Sequence, residues 1–126
     1  REVIAIIGDG GFQMTIQELG TIFQTGVPVK IVVLNNDFLG MVRQWQELFF
    51  DSRYASTEMI NPDFVAIAKG YYIESSKVSK RENLKESVHK MVKSTKPYFL
   101  EVIVEKEENV FPMIPTGESV SNIRLN

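Results

Sequence analysis

The chain predicts a three-layer, doubly wound α/β domain with a mostly parallel sheet, and three observations carry that expectation. Residues 3–7 are an unbroken apolar run of strand length and 29–34 a second, interrupted only by Lys30, the pattern of strands buried on both faces of a parallel sheet. Between and after them apolar residues recur at helical spacing, so strands and helices alternate along the chain. With 44% hydrophobic residues among 126, the chain can bury a core of its own, which argues against a disordered segment.

The first strand, 3–7, runs into Gly8-Asp9-Gly10-Gly11, where residues without side chains let backbone approach a ligand. Ile16, Leu19, Gly20 and Phe23 then share one helical face, with Gln17, Glu18, Thr21 and Gln24 on the other and Gly26 as a stop. That is the crossover helix. It returns the chain to the second strand, 29–34, which delivers Asn35 and Asn36 to the sheet edge that also carries Asp9. A helix over 40–50 holds Met41, Val42, Trp45, Leu48 and Phe49 close behind that edge. Asn61-Pro62 reads as a cap with proline in the first turn, opening a helix through Val65, Ile67 and Ala68 that ends near Gly70.

Residues 71–74 read as a short strand, and Ser79-Lys80-Arg81-Glu82 as a capping box for the next helix. Leu84, Val88, Met91 and Val92 give that helix one apolar stripe, which should pack on the sheet. Residues 98–104, after Pro97, form the last strand. The remainder, 105–126, is an extended tail of the same domain with Pro112, Pro115, Gly117 and little regular pattern.

Charge and composition exclude several functions. A net charge of −2, from 14 basic and 16 acidic residues, gives no electrostatic reason for a nucleic-acid or anionic-membrane partner. The run from Lys77 to Lys96 holds seven Lys or Arg, but Glu82 and Glu86 interleave with them, so it reads as a solvated helix face. His89, the single histidine, sits in that run and receives no role. The absence of cysteine removes thiol nucleophiles, thiolate metal sites and disulfides. No leader or membrane span is seen, and the expectation is a soluble, cytoplasmic protein. Arg1-Glu2 leads straight into a strand, which suggests a piece of a longer chain. Phe49, Phe50, Tyr54 and Met59 form an apolar stretch expected to face further domains of that chain or a second subunit.

Open parallel sheets bind ligands at the carboxyl ends of their strands. There, Asp9 and Asn36 offer a carboxylate and a neutral amide oxygen, and the Phe38 carbonyl a third donor. A hard cation such as Mg²⁺ takes oxygen ligands of this kind, commonly one or two protein groups plus substrate phosphates. Gly10 and Gly11, placed just before a helix, suit an anion near free N–H groups. The residues together describe a site for a divalent cation and a diphosphate.

Gly-Asp-Gly and Asn-Asn at this spacing resemble the thiamine diphosphate signature, in which Asp9 and Asn36 would be the side-chain metal ligands. Gly40-Met41-Val42-Arg43-Gln44-Trp45, just after the Asn-Asn pair, and the tail Glu107-Glu108-Asn109-Val110-Phe111-Pro112-Met113-Ile114-Pro115 are similar to the catalytic subunits of acetohydroxyacid (acetolactate) synthases. The resemblance spans nearly the whole chain. It implies the C-terminal part of the thiamine diphosphate-binding fold, truncated at its N-terminal side, from an enzyme that decarboxylates pyruvate and joins the two-carbon unit to a second 2-oxo acid in branched-chain amino acid biosynthesis. Gly8, Asp9, Gly10, Gly11, Asn36, Leu39, Gly40 and Met41 would lie along the cofactor, with Gly11 standing where the family often has serine. Trp45 would line the substrate channel.

The activating glutamate and the FAD of that family belong to other domains, so no catalytic residue is assigned here and the isolated chain is expected to be inactive. Implied partners are those domains, a second catalytic subunit and, in some members, a regulatory small subunit. Two alternatives stay open: another thiamine diphosphate-dependent 2-oxo acid decarboxylase or oxidase, and a non-catalytic nucleotide-binding module of similar topology.

Overall fold

The structure, a computed structural model, describes residues 1–125. Its elements run β1 (Ile4–Gly8), α1 (Asp9–Met14), α2 (Glu18–Thr25), β2 (Lys30–Asn35), α3 (Gly40–Phe49), α4 (Phe64–Gly70), β3 (Glu74–Val78), α5 (Arg81–Lys93) and β4 (Tyr98–Ile103). The four strands pair in the order β1-β2-β4-β3, every pair parallel. The α/β architecture is therefore the expected one.

Alternation along each strand divides the core into two layers. On one face Ile31, Val33 and Phe99 meet Phe12 of α1, Leu19 of α2, and Phe64 and Ala68 of α4. Phe12 is wedged between Phe64 and Phe99, with ring centroids 5.3 and 5.1 Å away. On the other face Tyr98, Leu100 and Val78 meet Met91 of α5. Lys30 is buried on this second face, and its ammonium donates to the carbonyls of Ser94 and Lys96 at 2.7 and 2.6 Å. A cation so placed satisfies carbonyls left open where α5 ends.

Several element boundaries differ from the expectation. The crossover is two helices, α1 and α2, joined by i→i−3 bonds from Glu18, Leu19 and Gly20 to Thr15, Ile16 and Gln17. The break lets Phe12 and Leu19 both face the sheet. α2 stops at Gly26, whose φ of 66° is the left-handed conformation glycine tolerates. Asn61 does not cap α4; Asp63 does, its carboxylate accepting from the Ala66 N–H at 2.9 Å. The strand expected at 71–74 begins only at Glu74, because the helix-ending turn uses the N–H groups of Tyr71, Tyr72 and Ile73. The capping box does not form: α5 starts at Arg81 with Lys80 as its cap, so Ser79 stands one residue too early and Glu82 falls in the second helical position. Of the α5 stripe only Met91 is buried, while Leu84, Val88 and Val92 stay partly exposed.

The tail folds back onto α3. Gln44 forms a two-way pair with the Val110 backbone, donating to its carbonyl at 3.0 Å and accepting from its N–H at 2.8 Å. Asn109 donates to Glu47 at 3.0 Å, and Met113 bridges Arg124 in antiparallel fashion. No helix among the described residues is long and apolar enough to cross a membrane.

Candidate functional site

β1 and β2 lie side by side in register, Gly8 opposite Leu34, so the residues that follow them emerge together at the carboxyl edge. A cavity of about 700 Å³ opens there, lined by Gly8, Asp9, Gly10, Gly11, Asn36, Phe38, Leu39, Gly40 and Met41, with Val104, Glu105, Glu108 and Val110 supplied by the tail side. Every residue assigned from sequence to cofactor or cation is thus gathered around one space. Trp45 is not among its lining residues; it sits on α3 with its ring 4.9 Å from that of Phe49.

Gly10 and Gly11 were expected ahead of a helix, and they lie inside the first turn of α1 instead. Gly8 takes the extended cap conformation and Asp9 the first helical position, where a carboxylate is favoured by the helix dipole. A side chain at Gly10 would meet the ends of the Leu39 and Met59 side chains at 2.7 and 3.2 Å, and would have to push them aside. At Gly40 an added Cβ would stand 3.1 Å from the Asn36 amide nitrogen.

Asp9 is buried, and its two oxygens have different surroundings. Oδ2 accepts from the Asp37 N–H at 3.0 Å and from Asn61 Nδ2 at 2.6 Å. Oδ1 has no donor among the described residues and is not a fully enclosed atom, and Asp9 lines the cavity. Asn36 Oδ1 accepts only a long 3.3 Å bond from the Phe38 N–H. Phe38 forms an antiparallel bridge with Glu58 that spends the Leu39 N–H and the Asp37 carbonyl, leaving its own carbonyl uncommitted by that pairing.

The donor set fits Mg²⁺. One carboxylate oxygen, one amide oxygen and one carbonyl are the hard oxygen ligands such an ion requires, and they are too few to satisfy it without phosphate and water. Consistent with this, no group of three or more His, Cys, Asp or Glu among the described residues could hold a metal by itself.

Asn61 is the site residue that sequence reasoning missed, having taken it for a helix cap. The segment after α3 returns antiparallel to residues 37–39, with Leu39 N–H to Thr57 O and Met59 N–H to Asp37 O both at 2.8 Å. This pairing carries Asn61 to Asp9. An asparagine followed by proline holds no local signal of such a contact, which depends on chain far away in sequence.

Fold and site together define a parallel α/β ligand-binding domain with its pocket at the strand carboxyl edge. A family model described as "Thiamine pyrophosphate enzyme, C-terminal TPP binding domain" matches residues 1–102, and the chain belongs to that family. Among curated relatives, the acetolactate synthase large subunit of Parasynechococcus marenigrum (strain WH8102) is 44% identical over 94% of this chain and 20% of its own length. The acetolactate synthase isozyme 2 large subunit of Escherichia coli (strain K12) is 43% identical over 96% of this chain and 22% of its own. The chain therefore spans about a fifth of the length of these relatives. Among solved structures, the thiamine diphosphate-dependent 4-hydroxybenzoylformate decarboxylase of Rhodococcus jostii RHA1 superposes with a TM-score of 0.79 at 28% identity, covering 86% of this chain and 21% of that one.

Proposed function

We propose that this chain holds the diphosphate end of thiamine diphosphate through Mg²⁺, as part of a cytoplasmic acetolactate synthase of branched-chain amino acid biosynthesis acting on pyruvate and a second 2-oxo acid. The observation that carries the reading is the single cavity around which Asp9, Asn36 and Phe38 converge. Asp9 Oδ1, Asn36 Oδ1 and the Phe38 carbonyl would hold the cation. Gly8, Gly10, Gly11, Leu39, Gly40 and Met41 would lie along the cofactor, the glycines giving backbone access and Leu39 and Met41 an apolar wall that excludes water. When bound, the cofactor supplies the carbanion chemistry of decarboxylation and carbon–carbon joining.

Charge supports an obligatory metal. The cavity is lined by Asp9, Glu105 and Glu108 and by no Lys, Arg or His, so a bare diphosphate would be repelled and requires a cation to enter. The acetolactate synthase assignment draws on the named relatives and on the pairing of the α3 motif with the tail motif through Gln44 and Val110. Trp45, on the outer part of α3, is assigned to a substrate channel completed by other domains or a second catalytic subunit. Val3, just before β1, and Ile4 and Ile6 on it are exposed and offer such a partner apolar surface, as do Phe49, Phe50 and Tyr54. FAD belongs to the remainder of the parent subunit in this reading.

Calorimetric titration with thiamine diphosphate and with ADP, each with and without Mg²⁺, tests the reading. Binding of thiamine diphosphate only with Mg²⁺, lost in Asp9→Ala with the circular dichroism spectrum unchanged, is the expected outcome. Preference for ADP, or undiminished binding in Asp9→Ala, would instead favour a nucleotide-binding module.

A further inference from the structure

The direction of the Asp9 carboxylate is set by whatever grips Oδ2, because Oδ1 has no donor among the described residues. Besides the Asp37 N–H at 3.0 Å, the grip comes from the Asn61 amide, whose own orientation is fixed on every side. Asn61 Oδ1 accepts from Gln13 Nε2 at 2.7 Å, while Nδ2 faces three oxygens: Asp9 Oδ2 at 2.6 Å, Asn35 Oδ1 at 2.9 Å and Asp37 Oδ1 at 2.9 Å. Two hydrogens are shared among three acceptors, and turning the amide over would aim its carbonyl at two carboxylates.

Asn35 is polarised in the same sense. Its Nδ2 donates at 2.8 Å to Glu101 Oε1, a buried carboxylate on β4 that can only accept when ionised and is also paired with Lys77 at 3.2 Å. The other oxygen, Glu101 Oε2, is enclosed with no partner among the described residues. An unsatisfied buried acceptor of this kind is costly and is tolerated where a polar residue must stay. The Asn35 oxygen is thereby turned toward Asn61 and the Asp37 N–H.

We propose that Asn61 is a positioning residue for Asp9: it fixes Oδ2 so that Oδ1 faces the cavity, and it stands between the Asp9 and Asp37 carboxylates. Without those hydrogens the two carboxylates would repel, and only the Asp37 N–H at 3.0 Å would still hold Asp9 Oδ2. Asp37 itself does not line the cavity, so Asn61 also settles which of the two acids faces the ion. This role rests on the cation reading of the site, and it adds a residue that touches neither ion nor cofactor. Partners that orient a ligand in this way commonly change metal affinity about 10–100-fold when removed.

Mn²⁺ binding in the presence of a fixed excess of thiamine diphosphate, followed by electron paramagnetic resonance, tests the role in the whole chain. Asn61→Ala should weaken Mn²⁺ about 10–100-fold, with the metal-free unfolding midpoint lowered by only a few degrees and Asn61→Ser, which keeps a donor, lying between. If Asn61→Ala does not fold, Asn61→Ser alone decides: unchanged Mn²⁺ affinity overturns the proposal and a weakened one supports it. A loss of Mn²⁺ binding in Asp9→Ala combined with no change in Asn61→Ala removes the positioning role and leaves the cation reading intact. Parallel falls in midpoint and affinity would mark Asn61 as merely structural. Undiminished Mn²⁺ binding in Asp9→Ala would remove both.

Discussion

The two faces of the sheet are built from similar sequence and end in different states. On the face covered by α1, α2 and α4, the inward residues of β2 and β4 are sealed beneath a three-ring aromatic cluster. On the other face α5 covers β3 and β4, and β1 stays bare, Ile4 and Ile6 being 45% and 69% exposed. In sequence Ile4 and Ile6 are indistinguishable from Ile31 and Val33. A run of apolar residues says that a strand is meant to be covered; it does not say that this chain supplies the cover.

The largest test of the difference is a matched pair of truncations on adjacent layers. Phe99→Ala should cost about 3–5 kcal/mol, because Phe12, Phe64 and Val33 cannot all collapse into the space. Met91→Ala, beneath a helix whose other apolar residues are partly exposed, should fall at the low end for such changes, about 2 kcal/mol. Urea unfolding of both variants checks the order, and a Met91→Ala effect equal to or above that of Phe99→Ala would break the contrast. Next in size comes the bare strip: Ile6→Ser should shift stability by no more than about 0.5 kcal/mol, the usual range for surface positions. A loss of several kcal/mol would mean that β1 is covered in solution by something this chain itself provides.

The same contrast bears on what could be read before the fold was seen. β1, β2 and β4, and the meeting of Asp9 with Asn36 at one edge, follow from local signals: apolar runs, the glycines that end them and the parallel crossover rule. β3 was missed at its true place because Glu74-Ser75-Ser76-Lys77-Val78 is a polar edge strand, paired on one side only, and carries no apolar run. The start of α5 was misplaced by a motif with the right residues in the wrong register. Asn61 and Glu101 could not be read at all, since their partners lie 24 to 66 residues away in sequence and nothing local distinguishes them. The cavity wall supplied by residues 104–110 likewise depends on Gln44, a helix residue whose spacing says nothing about the tail it holds.

The smallest expected effect belongs to the α5 face and distinguishes how the two faces are held. Lys90 donates to Glu74 at 3.2 Å, tying α5 to β3 across solvent, and its ammonium lies 5.9 Å from the Tyr98 ring centre. The hydrogen bond to the Glu74 carboxylate, aided by attraction to Tyr98 and Glu74, holds the Lys90 pKa above its ordinary 10.5. A lysine whose pKa is raised on folding adds stability that is fully present below its unfolded value and disappears as pH climbs through the folded one. Loosening should therefore appear only above pH 10.5 and should be slight, because the pair is exposed and screened by water and salt. Carbon-detected NMR titration of the lysine side chains checks it: Lys90 should titrate above the ordinary lysine value, and Glu74→Gln should bring it back toward that value. A Lys90 midpoint that ignores Glu74→Gln would leave α5 held by Met91 packing and the Lys30 contacts alone, and the two faces would then differ in how much they bury but not in kind.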